Sequence, residues 1–419
     1  MKVLWIVNTM LPELAEHLGK KTGVSGTWLI NLSKSLSLQD DIELAVACVA
    51  GDEFVDVKIG EIRYFCIPGN GKTMMFYHPE LVNYWRKIEN LFAPDIVHFH
   101  GTEYTHGISY LREFPNKKKL LTIQGIIGKV SQNHWGNLGL NAVLKNRTLR
   151  ESIKLNGMLE RKILSKRNVR YENELIKGVQ FATGRTDWDK YYMTSLNPDI
   201  HYFRCNYNLR DEFYKADKWS VENCTRHLVY ASTSAQVPMK GGDIVMKAID
   251  IVRRSYPDCK FIFLAGKVNN GMLVPNSGYT KYICRLIKKL GIEKNVEFVT
   301  GQNTDGVISL MQKSNVTVVP SAIENASATL REAMHLGVPC VASFRGGMTE
   351  LIDDRQSGFL YDFTEYEFLA GRIMEIFAND DLAEKLSKNA IAKAEKWHNQ
   401  EKNVTDMLSC YRYISGIEL

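Results

Sequence analysis

The stretch VTVVPSAIENASATLREAMHLG, residues 316–337, decides the fold. VTVVP is a run of β-branched residues closed by a proline, the pattern of a buried strand. Ser321 to Asn325 then form a short loop. ATLREAMHLG carries apolar residues at helical spacing and stops at Gly337, the residue best suited to the end of a helix. The order strand, loop, helix puts Glu324 in the loop and Glu332 inside the helix, eight positions further on.

The same order recurs along the chain. Strands are expected at KVLWIV (2–7), ELAVAC (43–48), DIVHF (95–99), KLLTI (119–123) and VQFAT (179–183). Helical patterns such as TWLINLSKSL (27–36) and PELVNYWRKIENLF (79–92) lie between them. The rhythm restarts at HLVYAS (227–232), KFIFLAG (260–266), VEFVTG (296–301) and VTVVP (316–320). Strand–helix alternation of this kind predicts parallel sheets covered by helices on both faces. Two such runs in 419 residues predict two doubly wound domains. The polar stretch 208–227 is the expected hinge between them.

Composition narrows the class. With 45% hydrophobic and 24% charged residues the chain reads as soluble and globular. A net charge of +6 permits an anionic partner without naming one. The eight cysteines are scattered, with no CxxC pair, which favours reduced buried thiols over a disulfide framework or a zinc site. MKVLWIVNTMLPE is read as a first buried strand rather than a signal segment. No apolar run approaches the length of a membrane span.

In open parallel sheets ligands bind beyond the carboxyl ends of the strands, so the chemistry belongs in those loops. The first loop, NTMLPELAEHLGKKTGVSGTW, lacks the GxGxxG that a dinucleotide needs, which counts against hydride transfer. Its Gly23 and Gly26 still let backbone amides approach an anion at the following helix. In the 316–337 stretch the two glutamates would stand roughly 12 Å apart if all the intervening residues were helical. Between them lies a helix N-terminus, whose unpaired N–H groups and partial positive charge suit phosphate. A nucleotide sugar has matching parts: a sugar, a diphosphate and a ribose, with hydroxyls at both ends for the carboxylates to accept from. Two glutamates alone fit an ordinary solvated helix equally well; the surrounding residues make the signal specific.

PSAIENASATLREAMHLGVPCVASFRGGMTELI (320–352) resembles the donor-binding region of family 4 retaining glycosyltransferases. That family's pattern is Pro-Ser, Glu, seven residues, Glu-Ala-Met, Gly-x-Pro, a short strand, Gly-Gly and a further Glu, and here it runs through Glu350. PDIVHFHG (94–101) and LLTIQG (120–125) look like the family's amino-terminal strands, and MKGGDIVMKAI (239–249) and FIFLAGK (261–267) like its nucleotide domain. The resemblance implies a GT-B fold, two Rossmann-like domains facing a cleft. The expected boundaries are 1–207 for an acceptor-side domain, 208–395 for a nucleotide-sugar domain, and 396–419 for a helix crossing back to the first.

Carried over by position, Glu324 would hold donor-sugar hydroxyls as the catalytic carboxylate, and Glu332 the ribose. Asn325, Ala326 and Ser327 would offer backbone amides to the sugar and diphosphate. Lys240 would neutralise the phosphates, with Gly266 beside the donor and Gly26 or Gly23 approaching from the other domain. The arginine the family carries shortly before the lysine is missing from STSAQVPMK (232–240), and Arg185 is the candidate substitute. The histidine common before glycine in the TIQG position is Gln124, which hydrogen-bonds a hydroxyl but does not titrate near neutral pH. Asn-Ala-Ser replaces the family's glycine-rich loop, so donor preference does not carry over.

His98 and His100 are expected to face opposite sides of their strand, with His98 packed, and with His100 and Glu103 joining Gln124 on the acceptor side. Asp187-Trp188-Asp189 imitates a DxD metal motif but sits at a predicted helix start, where a cap is the better reading. No metal and no cofactor are expected. Residues 145–170 carry nine Lys/Arg against two Glu with apolar residues interspersed, the pattern of a basic amphipathic helix that lies on an anionic bilayer. A solvated helix face is the plain alternative. No nucleic-acid motif accompanies it.

The resulting expectation is a metal-independent retaining glycosyltransferase using a nucleotide sugar, a UDP-sugar favoured, and a glycan or lipid-linked acceptor in bacterial surface polysaccharide or glycoconjugate synthesis. It would be cytoplasmic, at the inner face of the cytoplasmic membrane. The alternatives are a nucleotide-sugar 2-epimerase of the same fold and a non-catalytic sugar-nucleotide-binding subunit.

Overall fold

A computed structural model describes residues 1–20, 26–233, 236–269 and 271–417. The chain forms two compact units. One comprises Met1–Gly128, Arg167–Arg210 and His398–Leu419; the other comprises Lys129–Lys166 and Asp211–Trp397. Residues 129–166, expected within a first domain of 1–207, therefore group with the second unit.

The first unit is built on β1 (Lys2–Val7), β2 (Glu43–Gly51), β3 (Val55–Ile59), β4 (Ile62–Pro68), β5 (Ile96–His100), β6 (Lys118–Thr122), β7 (Phe181–Gly184) and β8 (His201–Arg204). They lie in the order β3-β4-β2-β1-β5-β6-β7-β8. All neighbours are parallel except the β3–β4 hairpin. Interior strands such as β1 are apolar on both faces because helices cover both. Leu4 and Ile6 join Phe65, Trp85 and Phe99 on one side. Val3, Trp5 and Val7 join Leu29, Leu36 and Tyr411 on the other. The edge strands β3 and β8, half exposed and short, went unpredicted because their pattern is weakly apolar, and the buried β4 went unpredicted as well.

The helix Gln400–Ser415 closes the second of these faces with Met407, Leu408, Tyr411 and Ile414. Burying such side chains stabilises by about 1.5–3 kcal/mol each. Tyr411 fixes its register, accepting from Trp5 Nε1 at 2.8 Å.

The second unit carries β9 (Thr225–Ala231), β10 (Lys260–Leu264), the short β11 (Val268–Asn269) and β12 (Met272–Leu273), β13 (Val296–Val299), β14 (Ser314–Val319), β15 (Cys340–Ser343) and β16 (Phe359–Tyr361). Six of them form a sheet of order β13-β10-β9-β14-β15-β16, parallel throughout. In both sheets the chain starts in the middle and winds first to one side, then to the other. The reversal falls between β1 and β5 in the first sheet and between β9 and β14 in the second. Loops diverge at such a reversal and leave a crevice at the strands' carboxyl ends.

The stretch 145–170, expected as one amphipathic helix, is instead three: Leu140–Asn146, Leu149–Lys154 and Met158–Gly178. Thr148 caps the second, accepting from Glu151 N at 3.2 Å. Gly157 precedes the third. Capping side chains and glycine interrupt a run whose charge and hydrophobicity alone gave no sign of breaks.

Candidate functional site

Helix Ala328–Leu336 follows β14, and its sequence sets its pose. Ser327 caps it, accepting from Leu330 N at 3.3 Å, and Leu330, Ala333, Met334 and Leu336 turn inward. Gly337 ends it with φ 84°, its N–H bonding back to Ala333 and Met334. Only the last four of the eight steps from Glu324 to Glu332 are helical, since the helix begins at 328. Glu332 is half-buried on that helix, and the backbone of Asn325, Ala326 and Ser327 leads into its first turn.

β9 continues into the turn Pro238–Lys240 and, past Gly241, the helix Gly242–Ser255. Because β9 and β14 are neighbours in register, Ala231 beside Val318, these two loops meet. Ala322 N donates to Met239 O at 2.7 Å. Lys240 Nζ forms an ion pair with Glu324 Oε1, which also accepts from Ser321 Oγ at 2.8 Å. The side chains are 33% and 17% exposed, so the pair is reachable from solvent. The loop after β15 adds a third strand to the weave, with Gly347 N donating to Glu324 O at 3.1 Å.

Two glycines allow this approach. At Gly241, φ 69°, a Cβ would overlap Pro320 O; at Gly346, φ 60°, it would overlap Glu324 O. Both need the left-handed conformation and the missing side chain. Gly266, after β10, lies against Gln236. Lysine, glutamate, a capped helix N-terminus and Gly266 thus gather at the carboxyl end of one sheet. The arrangement offers a cation and N–H groups to an anion, and a carboxylate to hydroxyl groups.

The first unit repeats the device at its own reversal. Asn8, the first residue past β1, donates from Nδ2 to Glu103 Oε2 at 3.1 Å, and Gly125 N donates to Glu103 Oε1 at 2.7 Å. Burial raises the Glu103 carboxyl above its ordinary range, against those hydrogen bonds, which lower it. Gln124 Nε2 donates to Tyr207 OH at 2.8 Å. Beneath lies Glu172, fully buried, which accepts from Thr102 Oγ1, Ile127 N, Gly128 N and Tyr192 OH at 2.7–2.8 Å. Burial raises it as well. Gly26 caps the helix Thr27–Ser37 against Thr9; Gly23 lies outside the described residues.

Other expectations need correction. His98 and His100 do not face opposite sides: their rings lie 3.9 Å apart, because residues two apart on a strand share a face. His98 is packed as expected, bonded to Tyr411 OH at 2.6 Å and Thr122 Oγ1 at 2.5 Å. His100 packs against Trp5 at 4.4 Å, 2% exposed, and neither of its ring nitrogens has a hydrogen-bond partner. Arg185 is buried in the first unit, its Nη2 donating to the carbonyls of Ile123 and Gln124 at 3.0 and 3.2 Å while its guanidinium covers Tyr207.

Asp189 completes a capping box with Thr186 and accepts from Tyr202 OH at 2.6 Å, while Asp187 pairs with Arg204 at the surface. Asp189 thus serves a helix cap, as read, and Asp187 lies at the surface. Among the described residues no group of three or more His, Cys, Asp or Glu is placed to hold a metal ion. Sequence reasoning missed Asn8, Ser321 and Tyr207. Asn8 was findable as the first residue past a central strand.

Two doubly wound parallel sheets in one chain, with a strand-end site at the reversal of the second, define the GT-B fold of glycosyltransferases. Residues 216–393 match the family model described as "Glycosyl transferases group 1". The chain is similar to D-inositol 3-phosphate glycosyltransferase of Corynebacterium urealyticum, 25% identical over 173 residues, which is 40% of each protein. The match therefore spans about two fifths of that relative's length. In structure it is similar over its whole length to sucrose-phosphate synthase of Thermosynechococcus elongatus, with a TM-score of 0.74 and 15% identity over 100% of both chains. Anabaena HepE in complex with UDP-glucose gives a TM-score of 0.67 at 16% identity, covering 98% of this chain and 100% of the other. Identities this low bear on the fold alone.

Proposed function

We propose that the protein is a retaining glycosyltransferase that moves a sugar from a nucleotide donor, a UDP-sugar favoured, to a glycan or lipid-linked acceptor. Its setting in this reading is the assembly of bacterial surface polysaccharide or glycoconjugate, at the cytoplasmic face of the membrane. The observation that carries the reading is the meeting of Lys240, Glu324 and the Ser327-capped helix at one strand-order reversal. Families and folds host many activities, so the site bears the weight.

Lys240 neutralises the diphosphate, aided by the amides of Asn325 to Ser327 and by Gly266. Glu332 accepts from the ribose and Glu324 from the donor sugar. As the sugar–phosphate bond breaks, charge grows on the leaving nucleoside diphosphate, and fixed cations and N–H groups aimed there lower the barrier. The acceptor oxygen bonds to the anomeric carbon on the same face, and its proton passes to the departing phosphate oxygen. No protein base and no metal ion are assigned. Asn8, Glu103 and Gln124 form the acceptor-side set. Arg185 leaves the donor set, because its guanidinium is held by two backbone carbonyls and a ring.

Thermal-shift titration with UDP-, GDP- and ADP-glucose, followed by transfer assays on a panel of acceptors, tests this. Stabilisation by one nucleotide class and acceptor-dependent release of its diphosphate are expected. An isomerised sugar nucleotide formed without acceptor would mean an epimerase; tight binding with no turnover would mean a binding subunit.

A further inference from the structure

The three helices of residues 140–178 leave an unusual surface. Leu149 and Ile153, one turn apart on the short helix Leu149–Lys154, are 85% and 83% exposed, and Leu155, which ends it, is 69% exposed. Leu144 on the preceding helix is half exposed. Single exposed leucines are ordinary, but four in twelve residues are not.

The charges are sorted around them. Of the two acids in 140–163, Glu151 is turned inward: Oε1 accepts from Gly278 N at 2.9 Å and Oε2 from Thr148 N at 3.0 Å. Glu160 is spent on Arg147. The exposed charged side chains of this segment, among the described residues, are therefore all cations, including Lys145, Arg150 and Lys154. The base is firm, because Asn146 Oδ1 also accepts from Arg285 at 2.9 Å within the same unit. Apolar tips on a fixed corner, ringed by cations with the anions withdrawn, match an anionic interface with an apolar interior.

We infer that the corner Leu144–Leu155 is a docking surface for an anionic lipid bilayer, with Leu149, Ile153 and Leu155 entering the acyl boundary and Arg150 and Lys154 meeting lipid phosphates. No helix of the described residues is long and apolar enough to cross a membrane, so the contact is peripheral. The wedge is a helix corner, not the continuous amphipathic helix that charge and hydrophobicity suggest from sequence. The inference does not depend on the proposed glycosyl transfer, since it uses none of the residues of that site.

The test is co-sedimentation of the full chain with vesicles of phosphatidylglycerol and phosphatidylcholine in equal parts, and with pure phosphatidylcholine. Binding to the anionic vesicles should exceed binding to the neutral ones by about tenfold or more and should weaken as salt rises. The double variant Leu149→Glu/Ile153→Glu should lose about tenfold or more, and Arg150→Ala/Lys154→Ala should lose the preference for anionic lipid. Nucleotide-sugar affinity, measured on the same preparations, should be unchanged and reports folding separately. Failure to bind anionic vesicles, or equal binding by Leu149→Glu/Ile153→Glu, overturns the inference. So does a dimer in sedimentation that this variant dissolves while vesicle binding stays absent, which would assign the corner to a second copy.

Discussion

Lys240 and Glu324 stand 84 residues apart in sequence and form an ion pair where the loops after β9 and β14 meet. Asn8 and Glu103 are joined by a hydrogen bond across the β1–β5 reversal, 95 residues apart. In each sheet the reversal of strand order brings two strand-end loops together, and in each a carboxylate takes a hydrogen bond from its neighbour. In the second unit that neighbour is a cation. In the proposed reading, a diphosphate arriving there would draw Lys240 from Glu324 and free the carboxylate for hydroxyl groups.

Replacing Lys240 with alanine removes the cation while leaving Glu324 with Ser321. A charge-assisted hydrogen bond contributes about 1.5–3 kcal/mol. Nucleoside diphosphate affinity should fall roughly tenfold or more by calorimetry. Unchanged affinity would show that Lys240 serves only the ion pair.

Glu324→Gln and Glu332→Gln should separate rate from binding. A carboxylate beside the reacting sugar stabilises an oxocarbenium-like centre whose charge appears only near the transition state. Glu324→Gln should lower kcat with little change in nucleotide affinity. Glu332→Gln should weaken nucleotide binding instead, since the proposed ribose contact would exist before and during transfer. Steady-state kinetics beside nucleotide titration decides, and the reverse assignment would mean that the donor lies the other way round.

Gly241→Ala and Gly346→Ala each force a Cβ onto a carbonyl oxygen from a backbone that L-residues avoid. The left-handed conformation alone costs about 1–2 kcal/mol, and the overlap adds to it. Thermal melting of either variant should shift down by several degrees, and donor binding should weaken because both glycines hold the loop of Glu324. A melt and an affinity like wild type would show that the weave relaxes at no cost.

Chelation should leave activity intact. Asp189 is committed to its helix cap and Asp187 to Arg204, while in the proposed reading Lys240 and the helix N-terminus supply the positive charge. Activity lost in EDTA and restored by Mn²⁺ or Mg²⁺ would reject this account of the diphosphate.

Acid should destabilise the first unit through its buried imidazoles. Burial pushes His98 well below its ordinary range, His100 to about 3 and His106 to about 4. An unfolded histidine titrates near 6.5, so below that pH the unfolded chain binds protons that the folded chain refuses. The stability these groups contribute is present above about pH 6.5 and is lost as pH falls toward their folded values, at about 1.4 kcal/mol per pH unit for each. His100→Phe, which fills the site beside Trp5 and removes one proton, should make denaturant-measured stability fall less steeply between pH 6 and 4. An unaltered slope would show that His100 does not contribute.

The sequence by itself determined the central parallel strands of both sheets and the strand–loop–helix that carries most of the candidate site. Buried central strands are continuous apolar runs, and the Ser327 cap, Glu332 and Gly337 lie on one local strand–loop–helix whose signals are short-range. It did not determine which loops meet. The Lys240–Glu324 and Asn8–Glu103 contacts depend on which strands are neighbours, a long-range choice that no local pattern encodes. Arg185 shows the same limit: a buried guanidinium is committed by the carbonyls around it, and those become visible only once β6 and β7 are paired. The basic run 145–170 shows it again. Its composition is plain, but which way Glu151 and Leu149 point was decided by the packing of their helix against the N-terminus at Gly278, where a buried carboxylate satisfies an otherwise unpaired N–H.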